Sequence, residues 1–276
     1  PDVATCGNCL ADMRDPANRR YRYPFTNCTD CGPRYTITHS IPYDRATTSM
    51  SCFPLCPDCA AEYNDPLDRR FHAQPNACPV CGPQLRFIDT KGSLIDCNDP
   101  VVAAAKMIKE GKIVAVKGLG GFHLAVDAHN ANAVFRLRQR KAREAKPLAV
   151  MTTNAASARL WGDFNDIEIE LLNSPARPIV LARKTERCQN AFIHVADDLN
   201  EIGLMTAYTP VHLLLFHALA GLPSDPRWLD AASEDALVMT SANPSGEPLV
   251  IHTKEACERL DGIADGTAGE GLVFRI

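Results

Sequence analysis

The chain has no run of about 18 apolar residues, which excludes a transmembrane helix of ordinary length. Its N-terminus has no basic segment followed by an apolar stretch, so no signal peptide is expected there. Aromatic residues make up only 7% of the 276 positions, which argues against a surface built to stack bases. Net charge is only −4, so there is no global pull toward nucleic acid. Phosphate-loop signatures are absent as well. The glycines of Lys117-Gly118-Leu119-Gly120-Gly121 follow neither the G-x4-G-K-[ST] order nor G-x-G-x-x-G. No acidic pair marks a protein-built magnesium site. A hydrophobic content of 46% remains ordinary for a folded domain.

Cysteine is what the chain has in excess. Eight of its twelve cysteines form two copies of C-x2-C-x18-C-x2-C, and every position of the second copy lies 50 residues after its match. Cys6, Cys9, Cys28 and Cys31 recur as Cys56, Cys59, Cys78 and Cys81. The linkers repeat too: Asp15-Pro16 matches Asp65-Pro66, and Arg19-Arg20 matches Arg69-Arg70. This is four-thiolate zinc spacing, and paired C-x2-C motifs without a secretory signal favour metal in a reducing, cytoplasmic setting. With all four positions filled by protein, each zinc ion is read as structural. Apolar residues are sparse over 1–90, so metal binding, worth about 10–16 kcal/mol per site, is expected to supply most of the folding energy. The repeated linkers favour sequential sites over interleaved ones. The glycines after Cys31 and Cys81 are expected to adopt positive φ. Cys52 is expected to be a buried thiol, and Cys97, Cys188 and Cys257 core residues. His72 aligns with Arg22 in the first copy, which argues against a ligand role.

Residues 91–276 alternate short apolar runs with helical stretches, the pattern of an α/β domain. Asp99-Pro100 reads as a helix start, with the helix running to Ile108 and stopping at Gly111. Further helices are expected over 130–139, 154–161, 166–173, 210–220 and 253–260. Strands are expected at 113–116, 148–151, 179–182, 201–205 and 236–239. Three segments are candidates for chemistry. Backbone N–H groups of the Lys117–Gly121 loop suit an anion, although a simple tight turn fits equally well. Residues 136–146 hold six basic side chains against one acid. Within them, Lys141, Arg143 and Lys146 suit a polyphosphate, and a solvated basic helix end is the plain alternative. Thr240, Ser241, Asn243 and Ser245 cluster at a strand's carboxyl end, where α/β sheets bind ligands.

Taken together these segments resemble a known family. Lys-x-Arg before Lys-Pro-Leu, then Ser174 to Leu181 (Ser-x-x-Arg-Pro-Ile-Val-Leu), then Thr-Ser-Ala-Asn-x-Ser-Gly-Glu-Pro look like the YrdC-type domain of threonylcarbamoyl-AMP synthases. The fingers upstream, with Arg19-Arg20-Tyr21-Arg22-Tyr23-Pro24-Phe25-Thr26-Asn27-Cys28 and Lys117-Gly118-Leu119-Gly120-Gly121-Phe122-His123-Leu124, sharpen the resemblance to the HypF carbamoyltransferases of [NiFe]-hydrogenase maturation.

The resemblance implies an α/β (α+β) YrdC-like twisted mixed sheet with helices over 91–276, preceded by a small two-zinc-finger domain over 1–90. HypF proteins carry an acylphosphatase-like domain before the fingers and a further transferase domain after the YrdC-like one, so the chain reads as a central fragment. Its end departs from the family pattern after Ile263-Ala264-Asp265. The implied chemistry is formation of carbamoyl-adenylate from ATP, with Mg2+, and carbamate derived from carbamoyl phosphate. The carbamoyl group then passes to a HypE-type acceptor protein for the cyanide ligands of the hydrogenase. Lys141, Arg143 and Lys146 are implied to be catalytic. Implied ligand-binding residues are Lys117, Gly118, Gly120, His123, Ser174, Arg177, Tyr208, His212, Thr240, Ser241, Asn243 and Ser245. For Arg177 a structural salt bridge, and for His212 a structural role at a helix start, remain open. No membrane or nucleic-acid partner is expected, and a homodimer is compatible with the sequence. Two other readings stand beside this one: an RNA- or nucleotide-binding module and a non-catalytic scaffold. Against the first, residues 1–90 carry nine basic and ten acidic side chains.

Overall fold

A computed structural model describes residues 2–89, 91–143, 146–243 and 246–265. Two compact units are present. One comprises residues 2–85 with Tyr208–Leu214, and the other residues 86–207 and 215–265.

In the first unit the duplication becomes two similar fingers. Helix α1 (Gly7–Arg14) starts directly after Cys6, and α2 (Pro57–Asn64) starts directly after Cys56. The leading C-x2-C of each copy therefore sits at a helix N-terminus, where unpaired N–H groups favour thiolate. The trailing C-x2-C of each copy is a turn. Gly32 takes φ +93° there, as expected. Gly82 does not take a positive φ, which corrects the sequence expectation. Its glycine is required by close approach instead: a Cβ at that position would lie 2.1 Å from the Tyr23 hydroxyl. Arg22 (φ +54°) and His72 (φ +51°), 50 positions apart, share the left-handed conformation. Their equivalence is thus one of backbone, not of metal ligation.

In the second unit, the described residues form a seven-stranded sheet with the order β1-β2-β7-β3-β6-β5-β4. The strands are β1 (Val114–Gly118), β2 (Gly121–Asp127), β3 (Val150–Thr152), β4 (Gly162–Asp163), β5 (Val180–Lys184), β6 (Glu201–Thr206) and β7 (Ala236–Ser241). Only β3 and β6 pair in parallel; the other pairings are antiparallel. The mixed sheet that the resemblance implies is therefore present. Directly paired residues share a sheet face. Ala115, Phe122, Leu124, Val126, Val150, Val238 and Leu204 all lie on one face and all belong to the main apolar core.

Local signals explain the helices. Helix α3 (Pro100–Lys109) begins where Asp99 accepts from the N–H groups of Val101 and Val102, and Gly111 follows its end at φ +79°. Helix α4 (Ala131–Arg140) is capped by Asn130. Short α5 (Ala155–Ala158) is capped by Asn154. Helix α6 (Asp166–Asn173) has a full capping box between Asn165 and Glu168. Sequence reading missed α7 (Glu186–Ala191), a short polar turn of helix capped by Thr185. It also missed β2 and the two-residue β4. Helices α8 (Pro210–Leu219) and α9 (Thr253–Arg259) lie within the expected ranges.

Three cysteine expectations are corrected. Cys52 is exposed, because Met50 takes the inward position of the 3-10 turn Ser49–Cys52. Cys97 and Cys257 are only half-buried: Cys97 lies on the approach to α3, and Cys257 packs at the margin of the core. Cys188 is buried as expected.

Candidate functional site

The two cysteine quartets are sequential. Cys6, Cys9, Cys28 and Cys31 form one cluster and Cys56, Cys59, Cys78 and Cys81 the other, with all sulfurs in a cluster within 4.8 Å of one another. Cys6–Cys28 and Cys56–Cys78 are 3.7 Å apart, and Cys28–Cys31 and Cys78–Cys81 are 3.8 Å apart. A disulfide requires about 2.05 Å, so the eight cysteines are thiols. Four sulfurs each about 2.3 Å from one zinc ion stand about 3.8 Å apart along the tetrahedron edges. The residues present therefore fit zinc.

The second candidate site lies where α4 ends beside β7. Lys141, the C-cap of α4, points its ammonium at the turn after β7. Its Nζ donates to the carbonyl oxygens of Ser241 (2.5 Å) and Asn243 (2.9 Å) and to Asn243 Oδ1 (3.3 Å). Ser241 Oγ also donates to Asn243 Oδ1, at 2.6 Å. Arg143 Nη1 donates to Thr240 Oγ1 (3.0 Å), and Nη2 donates to the Pro147 carbonyl. Two stretches about 100 residues apart in sequence thus meet. Antiparallel β7 between β2 and β3 causes this, by bringing the end of β7 beside the end of α4. Burial, reinforced by the Arg143 charge, pushes Lys141 down to about 8. Burial also lowers Arg143, with Arg138 as the next cause.

The remaining candidates fall into groups. Lys117, Gly118 and Gly120 belong to a tight hairpin in which Gly118 pairs with Gly121, so the plain-turn alternative describes their backbone. The Lys117 ammonium lies 5.4 Å from the Phe122 ring centre. His123 pairs with Ser241 across β2 and β7, on the sheet face opposite the core, and burial lowers its pKa. Ser174 closes α6, its hydroxyl donating to the Leu171 carbonyl. Arg177, at φ +45°, donates to the Leu172 carbonyl (3.0 Å) and Thr206 Oγ1 (2.8 Å). It has no acidic partner among the described residues, so the salt-bridge alternative finds no support there. Tyr208 and His212 cluster with the finger unit. The Tyr208 carbonyl accepts from Thr5 N–H (3.0 Å), and the two rings meet edge-on at 4.6 Å. Lys146 is exposed. Ser245 lies outside the described residues.

Sequence reading counted Arg138 only as charge. It donates to the carbonyls of Arg143, Lys146 and Val195 at 2.8–3.0 Å and to that of His194, and so shapes the loop that presents Arg143. Its place one helical turn before Lys141 was the available signal. Arg136 and Arg140 ion-pair with Asp265, whose carboxylate also accepts from Ile113 N–H. Burial alone would raise Asp265, but that N–H bond and Arg140 outweigh it and hold its pKa low. Arg136, Arg138 and Arg140, half of the six basic side chains, are thus held in contacts that shape the fold. Thr206, fully buried, anchors Arg177 and escaped notice because an isolated threonine carries no pattern.

The Sua5/YciO/YrdC family model, described as telomere recombination, matches residues 106–272. The HypF finger model matches twice, at residues 5–38 and 55–88. The chain therefore belongs to the Sua5/YciO/YrdC family. Within it, the chain is similar to HypF carbamoyltransferases. Carbamoyltransferase HypF2 of Cupriavidus necator is 58% identical over 264 residues, 96% of this chain and 33% of that protein. The crystal structure of full-length HypF in the phosphate- and nucleotide-bound form superposes with a TM-score of 0.84 at 45% identity, covering 96% of this chain and 32% of that one. The crystal structure of T. kodakarensis HypF gives a TM-score of 0.87 at 41% identity, covering 99% and 34%. The chain spans about a third of the length of these relatives. The resemblance to HypF read from the motifs is thereby borne out. Among the described residues, no helix is long and apolar enough to cross a membrane.

Proposed function

We propose that this chain contributes the adenylate-forming step of HypF-type carbamoyl transfer, with residues 91–276 as the catalytic domain and 1–90 as a zinc-stabilised domain. The observation that carries the reading is the convergence of Lys141 and Arg143 on Thr240, Ser241 and Asn243. Two cations, one of them a lysine held among carbonyls, stand beside hydroxyl and amide groups suited to phosphate oxygens. The nucleotide and phosphate named for the full-length HypF structure belong to that protein and support the same chemistry here.

In the proposed reaction a carbamate oxygen attacks the α-phosphorus of ATP. The new O–P bond gives carbamoyl-adenylate, and the bond to the β-phosphate oxygen breaks to release pyrophosphate. Lys141 and Arg143, joined by Lys146, offset charge developing on pyrophosphate. Thr240, Ser241 and Asn243 orient the adenylate phosphate, and Ser245 is assigned with them from the motif. Lys117 and the Gly118–Gly121 backbone, with Gly118 and Gly120 among them, face the carbamate side, and His123 is assigned to ligand binding from the motif. Arg177 is assigned to a phosphate contact, and Ser174, Tyr208 and His212 are assigned ligand roles from the motif alone. Magnesium enters with ATP. Carbamate comes from carbamoyl phosphate, and the acceptor is a HypE-type protein. The setting is cytoplasmic. Each quartet binds one structural zinc ion.

Calorimetry with a non-hydrolysable ATP analogue tests the assignment. Arg143→Ala weakens binding by about 1.5–3 kcal/mol, the scale of a hydrogen bond to a charged group. Pyrophosphate release depends on carbamate or carbamoyl phosphate. Unchanged affinity in Arg143→Ala would remove the pocket from its assigned place.

A further inference from the structure

The two fingers exchange arginines. Arg69, from the second repeat, donates its Nη1 to Cys9 Sγ of the first quartet at 3.0 Å. Arg19, from the first repeat, donates Nη1 and Nη2 to Cys59 Sγ of the second quartet, both at 3.3 Å. The neighbouring arginines repeat the pattern. Arg69 and Arg70 pair with Asp12 on α1. Arg19 and Arg20 pair with Glu62 on α2, at 2.7 and 2.6 Å. Asp12 and Glu62 are themselves 50 positions apart. Arg20 Nε donates to the Ala77 carbonyl at 2.8 Å, and Arg70 Nε to the Asn27 carbonyl at 3.1 Å, again 50 positions apart. Arg20 and Arg70 are 2% and 5% exposed, so these are buried contacts rather than a surface fringe. The fingers are related by an internal two-fold exchange, and each sulfur cluster is completed by the other repeat.

Charge explains what the exchange does. Four thiolates around a divalent zinc ion leave a net charge of about −2. Guanidinium N–H groups aimed at a coordinating sulfur disperse that charge through charge-assisted bonds. Each arginine pair lies on the linker between its own two C-x2-C turns. The position of Arg19-Arg20 therefore depends on metal closing the first quartet, and that of Arg69-Arg70 on metal closing the second. Loss of one ion loosens a linker and withdraws the arginines that steady the other ion.

We propose that the two metal sites are loaded and released as a pair, coupled through the exchanged arginines. This rests on the zinc reading above, and the test separates the two. By linkage the coupling is reciprocal. Native mass spectrometry of the intact chain, stripped with a chelator to half its zinc, counts the species. Independent sites leave about half of the molecules with one zinc, whereas a coupling of about thirtyfold leaves about 15%. A one-zinc fraction near half overturns the proposal. A chain purified without any bound metal would instead remove the zinc reading itself. Site-resolved cysteine alkylation then gives the direction. In Arg69→Ala, the first quartet (Cys6, Cys9, Cys28, Cys31) is labelled several-fold faster than the second, although the substitution lies in the second repeat. In Arg19→Ala the order reverses. Labelling that starts in the mutated repeat, or an order that does not change, overturns the role given to the arginines. Should Arg69→Ala expose all eight cysteines at once, Arg69→Lys, which keeps charge without the fork, reads the same order.

Discussion

Lys141 and Asn243, 102 positions apart, are joined by two hydrogen bonds from one ammonium group, to the Asn243 carbonyl at 2.9 Å and its side-chain oxygen at 3.3 Å. With the Ser241 carbonyl as third acceptor, the lysine meets only neutral oxygens among the described residues. Its charge is therefore left for an incoming anion.

This arrangement predicts a pH dependence. Burial lowers Lys141 to about 8 from 10.5. Between those values the unfolded chain binds more protons than the folded one, so Lys141 makes folding stability rise with pH across that window. Below about pH 8 the cost of a charged buried lysine is present in full. Nucleotide affinity follows the opposite course and falls above about pH 8, as the cation is lost. Binding titrations of the native chain against Lys141→Met from pH 6.5 to 9.5 isolate the effect; parallel profiles for the two proteins would contradict it.

Thr206→Val removes a buried hydroxyl that accepts from Arg177 and donates to the Leu172 carbonyl at 3.0 Å. It leaves both partners short of a bond at nearly unchanged volume, and a loss of about 1–3 kcal/mol is expected in urea unfolding. The same variant frees Arg177 from its seat, so nucleotide affinity is measured alongside.

Two glycines of the fingers are expected to respond in opposite ways. Alanine at Gly82 would place its Cβ 2.5 Å from the Ala77 Cβ as well as against Tyr23, and overpacking of about 1–3 kcal/mol follows. Gly7, in the first turn of α1, has nothing within 4 Å of a built Cβ. Gly7→Ala is therefore neutral or stabilising by up to about 1 kcal/mol. Thermal melts of the zinc-loaded chain decide both.

Acid weakens the fingers through a specific carboxylate. Burial would raise Glu62, but Arg20 and then Arg19 overcome it and hold the group at about 2. A depressed carboxylate stabilises above its unfolded value, and that contribution is lost as pH falls from 4.5 toward about 2. Glu62→Gln flattens this part of the acid profile. Stability followed at fixed zinc content over pH 5 to 2.5 checks it.

Chelation of the quartets is expected to open residues 2–85 to protease, because a structural zinc site contributes about 10–16 kcal/mol in small finger peptides. Limited proteolysis before and after metal removal, with cleavage sites mapped by mass spectrometry, reads this directly. A digest pattern unaffected by chelation would mean that the fingers fold without metal.

The fingers were legible because ligand spacing is a local property. Two C-x2-C turns and a 50-residue repeat name all eight ligands without any knowledge of the fold. The helix at Asp99-Pro100 was legible for the same reason, since caps are set within four residues. Strand β2 was not, because its partners are β1 and β7, and β7 follows it by about 110 positions. The hairpin at Gly118–Gly121 was accordingly seen as a loop with two readings.

The amino-acid order alone determined the two cysteine quartets, most of the strands and helices of the larger region, and the three segments proposed to carry its chemistry. Only the folded chain decided that Arg136 and Arg140 serve Asp265 while Lys141 and Arg143 serve the turn after β7. Only it decided that Arg19 and Arg69 cross to each other's sulfurs. The reason is range. Caps, turns and ligand spacings are settled by neighbours along the chain, whereas the partner of a long flexible cation depends on which distant segment packing brings within a few ångströms of it.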